Sequence, residues 1–472
     1  MSDIPAGPAK DTTNPASEPP WPHPAYAWYV VVVLVIAYTF SFIDRQILSL
    51  LVGPMKQDLD ISDTQMSLLQ GFAFALFYTI MGLPIGRMVD RRHRIRIIAV
   101  GIFFWSLMTA LCGIARQYWQ LFLFRMGVGV GEAALSPAAY SLISDYFKPH
   151  RIGVALGVYG MGVYIGAGLA LVIGGLVIQG VSGGDDIILP LVGEVRPWQL
   201  VFFIVGFPGF LVALWALTLK EPVRRGLSQS AMQTATSINA AGKIPAAIPL
   251  RKVLAYMNAN RLALFCLSMC YALVAMMAYG VAAWIPEFFI RTHGWSAGDA
   301  GIVYGLIIVV FGTAGVVCGG WLGDVLTSRG IRSGRMWVMT GSAVASIPFA
   351  LFYPLVESDT LALIILMPST FFATFVTGAG PSAIPEITPN QMRGFVAAFI
   401  IFVVNIIGLG IGPTSIALMT DYFFQDEAML NYSLAIVPTI ILTLAAIIGF
   451  IGIKPYEHNR DYLKAYQVRE SQ

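Results

Sequence analysis

The sequence predicts an all-α, polytopic membrane protein whose twelve spanning helices form two pseudo-symmetric six-helix bundles. Three observations carry that expectation. Hydrophobic residues make up 57% of the 472-residue chain and charged ones only 12%, about half the charged share of a soluble domain. Apolar runs near the roughly 20 residues needed to cross a bilayer recur from end to end. The basic residues then sort into alternate connections.

Taken in order, residues 1–24 ("MSDIPAGPAKDTTNPASEPPWPHP") are polar and Pro-rich and read as a disordered tail. They lack a basic stretch leading into a short apolar core. The first apolar segment is also too long for a signal peptide, so it is expected to remain as an anchor. Spans are expected at residues 25–54, 63–88, 95–115, 118–145, 151–179 and 198–219 in a first bundle covering 25–219. A polar, basic linker, 220–258, follows. The second bundle, 259–453, holds spans at 259–287, 298–322, 334–354, 360–385, 392–420 and 429–453, and 454–472 forms a second tail.

With both termini on the cytoplasmic side, 23 of the 29 basic residues fall inside and four, Lys56, Arg116, Arg196 and Arg291, fall outside. Removing any one span inverts every later connection and spoils the sorting, so the count and the orientation support each other. A net charge of +3 is too small to suggest a nucleic-acid partner. Cys112, Cys266, Cys270 and Cys318 lie within apolar segments, form no CxxC, and read as packing thiols. No metal site and no cofactor are expected.

The two halves echo each other. "GRMVDRRHRIR" (86–96) and "GGWLGDVLTSRGIRSGR" (319–335) follow the second span of each half, with Asp90 and Asp324 about half the chain apart. The fifth span of each half is Gly-rich, "GVYGMGVYIGAGLALVIGG" (157–175) and "GLGIGPTSIALMTD" (408–421). Repeats of like orientation place a binding site near the midplane between them.

Four charges interrupt the spans. Asp44 and Arg45 sit in "FSFIDRQILSL", and Arg125 and Glu132 in the fourth span. At about 1.5 Å of rise per residue, Asp44 and Glu132 both lie about 16 Å from the outer face. Arg125 and Glu132 are seven residues apart and share one stripe of their helix. Asp44 and Arg45 point about 100° apart, so each needs its own partner. Bland readings exist: Arg125 snorkels to head groups, and the acids make a structural ion pair with Arg45. The favoured reading is that they line a wetted path, because ionisable groups at that depth usually do. Burial raises a carboxyl group's hold on its proton and a nearby guanidinium lowers it, so opening a cavity switches protonation. Arginine, always charged and bidentate, suits an anionic head group. The second half has acids only near span ends, and it offers Met276, Met277, Tyr279 and Phe372 as an apolar wall. Such a cavity fits an amphiphile.

Enzyme and pump readings lack their motifs. Neither GxSxG, HExxH nor GxxxxGK[ST] occurs, and "RMGVGVGE" lies within a span rather than after a strand. Its glycines, like Gly153, Gly157, Gly162 and Gly166, read as close helix contacts. Two pseudo-symmetric halves with one buried charge cluster suit alternating access better than a channel.

"GRMVDRRHR" resembles the loop between helices 2 and 3 of the major facilitator superfamily, and "GGWLGD" is similar to its weaker second-half echo. More narrowly, "FSFIDRQILSLLVGPMKQDLDISDTQMSLLQGFAFALFYTIMGLPIGRMVDR" and "RMGVGVGEAALSPAAYSLISDYF" resemble the spinster family, proton-dependent exporters of lysolipids and sphingosine phosphate, in a bacterial form. The fifth span has the glycines but not the proline of drug–proton antiporters. The resemblance implies the major facilitator fold and proton-coupled alternating access in a bacterial inner membrane. It implies an amphiphilic, anionic or zwitterionic substrate, with another small organic solute or drug as the alternative, and a monomer. By the same resemblance Asp44, Arg45 and Glu132 serve proton coupling and head-group binding; the reading of the charges themselves has Asp44 and Glu132 exchange the proton and adds Arg125 beside Arg45 as a second cation for the head group. The gate falls to Asp90 against the start of helix 11 and to Arg94 against Asp145, with Asp324 the second-half counterpart of Asp90.

Overall fold

The computed structural model describes residues 21–181, 187–189, 193–224, 250–389 and 392–471. Among them, eleven helices are long and apolar enough to cross a membrane. In chain order these are spans 1 (Pro24–Leu50), 2 (Asp63–Val89), 3 (Arg94–Cys112), 5 (Val154–Val181), 6 (Pro197–Leu217), 7 (Arg261–His293), 8 (Ala297–Ser328), 9 (Gly334–Leu355), 10 (Asp359–Glu386), 11 (Arg393–Phe424) and 12 (Glu427–Leu463).

Span 4 is the twelfth, and it is broken. Tyr118–Glu132 and Leu135–Tyr146 are separate helices joined through Ala133 and Ala134. Pro137 explains the break. It has no N–H to offer the carbonyl of Ala133 four residues back. The chain answers by tightening, with the Ala134 amide donating to Gly131 O over three residues at 3.2 Å. The unbroken span expected over 118–145 is corrected accordingly.

The other departures lie at the edges. Span 1 ends at Leu50, and a short second helix, Val52–Leu59, takes the rest. Within the expected linker, Leu250–Ala259 is a helix that sets Val253 and Tyr256 against Met392. The Tyr256 hydroxyl donates to Ile387 O at 2.6 Å. The last helix runs from Leu430 to Ser471, through the expected tail. Tyr456 holds its continuation by donating to Glu386 Oε2 at 2.7 Å. A small antiparallel hairpin, Ile187–Leu189 with Gly193–Val195, joins spans 5 and 6. The expected tail 1–24 lies largely outside the described residues, as does most of 220–258.

The halves meet along two crossings, span 2 against span 11 and span 5 against span 8. Glycine makes both possible. A Cβ on Gly71 would stand 2.5 Å from Leu409 O, and one on Gly305 2.5 Å from Gly168 O. Side chains there would hold the helices apart. Spans 2 and 8 each carry one π-helical turn at matching places, Leu68–Phe72 and Ile308–Gly312, and span 11 carries two. Such turns mark helices adjusted for function. One apolar core lies within the first half and another within the second, while a third is shared and includes Ile47, Leu50, Leu171, Phe288 and Tyr304. The halves therefore share buried apolar surface toward the end of the molecule that carries Lys56.

Candidate transport site

Spans 1 and 4 of the first half bring all four intramembrane charges together. Glu132, the last residue before the break in span 4, is 1% exposed and Asp44 3%. Glu132 Oε2 accepts from Arg45 Nε at 2.6 Å and from Ser41 Oγ at 2.5 Å, and Arg45 Nη2 closes a second contact to the same oxygen. Helical spacing explains the pairing with Ser41, which lies one turn before Arg45 and so shares its face. Glu132 Oε1 has no partner among the described residues. The Arg45 guanidinium also packs on rings, 4.4 Å from the centre of Phe74, 5.0 Å from Phe42 and 5.1 Å from Tyr78.

Arg125, 1% exposed, does not snorkel. Its Nη1 donates to the backbone carbonyl of Asp44 at 2.9 Å and its Nε to Leu69 O at 3.4 Å, while Nη2 is unpartnered among the described residues. The Asp44 carboxylate makes no ion pair among the described residues, and its charged neighbours are Glu132, Arg125 and Arg45. A buried, half-satisfied cluster is costly, because each orphaned polar atom forfeits about 1–3 kcal/mol of solvation. Arg45 is the least buried of the four, with its side chain 14% exposed.

A cavity of about 160 Å³ lies beside this cluster, between the halves. Phe42 and Gln46 of span 1 and Val163, Tyr164 and Ala167 of span 5 form its first-half wall, and none of the four charges lines it. Met277 and Tyr279 line it as expected, whereas Met276 is buried in the second-half core and Phe372 packs against Phe349. The second-half wall is not plainly apolar. Tyr271, Tyr279, Ser346, Thr374 and Thr377 are among its lining residues, with the Ser346 and Thr374 hydroxyls donating to Ser342 O and Phe371 O of their own helices. Tyr164 of span 5 and Thr377 of span 10 share a hydrogen bond of 2.7 Å across the halves.

At one end of the bundle the halves are bolted together by charge. Asp63, wholly buried, accepts Lys56 Nζ at 2.5 Å and both terminal nitrogens of Arg291 at 2.7 and 2.9 Å. Arg291 also holds Glu287 at 2.7 Å, and Lys56 holds Glu427 at 2.6 Å. The Thr64 amide donates to Asp421 at 2.6 Å. These contacts join the short helix Val52–Leu59 and span 2 of the first half to spans 7, 11 and 12 of the second, yet no pattern in the sequence announces them. Charges at span ends are the ordinary case, so nothing marked Asp63 or Arg291 as partners.

At the other end, ion pairs stay within each half. Arg94, fully buried, pairs with Asp145, donates to Ser141 Oγ at 2.9 Å and to Glu221 at 2.6 Å. Arg335 pairs with Glu386 at 2.7 Å and with Asp324 at 2.9 Å. Arg335 follows Arg94 by 241 positions, and Glu386 follows Asp145 by the same 241. That equality is the signal that would have found Glu386 as the counterpart of Asp145. Asp90 lies in the last turn of its helix, and its side chain falls outside the described residues. Among the described residues no ion pair joins the halves at this end.

Two packed halves, the first holding a buried charge cluster, with polar bolts between them at one end among the described residues, define a membrane carrier. The family model described as Major Facilitator Superfamily matches residues 34–413, and the chain belongs to that family of transporters. It is similar to a solved bacterial homologue of the human lysosomal transporter spinster, captured inward-facing and unoccupied. That likeness has a TM-score of 0.74 at 27% identity and covers 94% of this chain and 99% of that one. It is also 27% identical to an MFS-type efflux pump of Mycolicibacterium smegmatis, over 85% of this chain and 86% of the relative. A hexuronate transporter of Bacillus subtilis is 24% identical over 83% of this chain and 87% of its own length. These relatives are transporters, not enzymes.

Proposed function

We propose that the chain is a proton-coupled carrier of an amphiphilic, anionic or zwitterionic molecule of the lysolipid type. The observation that carries this reading is the Arg45–Glu132 pair, with one Glu132 oxygen left without a partner among the described residues. Protonating Glu132 removes the charge that holds Arg45. The freed guanidinium, already the most exposed of the cluster, turns into the cavity beside Phe42 and Gln46 to meet a phosphate or carboxylate. Deprotonation draws it back to Glu132 and releases the substrate. Asp44 and Arg125 act behind this exchange, Asp44 as the second proton site and Arg125 as the fixed charge that keeps the pair in register. The aromatic side chains of the cavity receive the tail.

The Arg94 end faces the cytoplasm, as the sorting of basic residues supports, and the bundles 25–219 and 259–453 rock about the central cavity. On that orientation the bolted Lys56 end is the closed outer gate. Asp90, Arg94, Asp145 and Asp324 stiffen the cytoplasmic ends that close in the opposite state. The protein works in a bacterial inner membrane as a monomer.

Purified protein in liposomes, assayed for lysolipid movement with and without a pH gradient, tests the reading. Flux rises with the gradient in the wild type and loses that dependence in Glu132→Gln and Asp44→Asn. Gradient-driven flux unchanged in both variants removes the proposal. The hydroxyls at the cavity and the likeness to a hexuronate carrier favour a second reading, a polyhydroxylated acid. Competition by a hexuronate but not by lysolipid selects it.

A further inference from the structure

The first turn of span 3 sends its arginines in opposite directions. Arg94 turns inward and is consumed by Asp145, Ser141 and Glu221. Two residues further on a helix has turned about 200°, and Arg96 is exposed on the opposite side, with exposed Arg92 just before the helix. Neither Arg92 nor Arg96 has an acidic side chain for its guanidinium among the described residues. His93 between them already sits 3.2 Å from Glu221 Oε2.

From these residues a groove of about 610 Å³ runs along the flank of the first bundle, between spans 2, 3 and 4. Its walls are apolar side chains that face away from the bundle, among them Met88, Val100 at 66% exposure and Phe104. Its floor is glycine. A Cβ on Gly101 would stand 2.8 Å from Gly131 O, and one on Gly131 2.7 Å from Trp105 N. The pair thus lets spans 3 and 4 touch and leaves the floor of the groove without side chains of its own at these two positions. Arg92, His93 and Arg96 line one end. None of Asp44, Arg45, Arg125 and Glu132 reaches it, so it is separate from the transport cavity.

We propose that this groove holds an anionic phospholipid of the bilayer leaflet at the Arg94 end. One acyl chain lies over Gly101 and Gly131, and the phosphate sits between Arg92 and Arg96. The charge complement decides the occupant. A sorting of basic residues by side accounts for two arginines but not for the trough beside them. A packed helix from another protein accounts for the trough but not for two exposed cations that have no acidic partner among the described residues, at head-group depth where basic residues attract anionic lipid.

Native mass spectrometry of the purified full chain, titrated with phosphatidylglycerol and separately with phosphatidylcholine, tests the site. The expected result is preferential retention of phosphatidylglycerol, weakened about fivefold by each of Arg92→Gln and Arg96→Gln. Val100→Trp, which fills the trough, lowers retention as well. Arg329→Gln, at an exposed arginine of the second half, leaves retention unchanged. All four positions are exposed, and matching melting temperatures without added lipid confirm that the variants fold. Equal retention of both lipids, an Arg92→Gln/Arg96→Gln variant that binds like the wild type, or an equal loss in Arg329→Gln overturns the proposal.

Discussion

At the scale of residues, one contact sets the behaviour of the site. Glu132 is buried and its only cationic partner among the described residues is Arg45. Removing the arginine strands a carboxylate, whereas removing both charges does not. Arg45→Ala should therefore destabilise the protein by about 3–5 kcal/mol, and the double variant Arg45→Ala/Glu132→Gln should recover most of that. Melting temperatures of the three proteins in one detergent check the cycle. Arg45→Lys should keep the fold but bind an anionic substrate at least about tenfold more weakly, because lysine offers a point charge in place of a planar fork. The four intramembrane charges were legible in the sequence because each interrupts an apolar run. Ser41 was not, since a small hydroxyl within a span carries no signal of its own. Its role as a Glu132 donor depends on where span 4 packs.

At the scale of elements, glycine and proline decide how closely the helices approach and where they break. Gly305 meets the Gly168 carbonyl across the halves, so Gly305→Val should push spans 5 and 8 apart. The expected outcome is a population shifted away from the state bolted at the Lys56 end, read as faster labelling of a cysteine introduced at that end. Arg94 and Arg335 illustrate the repeat. Each begins the third span of its half and reaches the acid that ends the fourth. Arg94→Ala should lower the melting temperature more than Arg335→Ala, because Arg94 is fully buried and satisfies Asp145, Ser141 and Glu221 together. The break in span 4 was hidden in plain view at Pro137. A single proline is tolerated in many spans, and span 2 continues through Pro84.

At the scale of the whole molecule, the asymmetry between the two ends is what alternating access requires. Asp63 with Lys56 and Arg291 favours the state in which the halves meet at that end, and contacts made in one state alone bias it. Arg291→Gln should shift the equilibrium toward the opposite state by about tenfold or more. Accessibility of a reporter cysteine near Lys56 should rise and that of one near Arg94 should fall; no change in either would leave the bolt without a part in gating.

Composition, span length and the sorting of basic residues determined the all-helical class and the twelve spans, because a bilayer imposes length and charge rules that are local along the chain, while the family was carried by the resemblance of stretches such as "GRMVDRRHR". The same rules exposed Asp44, Arg45, Arg125 and Glu132 as exceptions. Only the tertiary structure decided which of them touch, that a hydroxyl-bearing wall faces the cavity, and that Asp63 and Arg291, 228 residues apart, form one bolt. Contacts of that kind arise where two bundles close on each other. No local pattern encodes them, because the partners satisfy their own helices equally well before they meet.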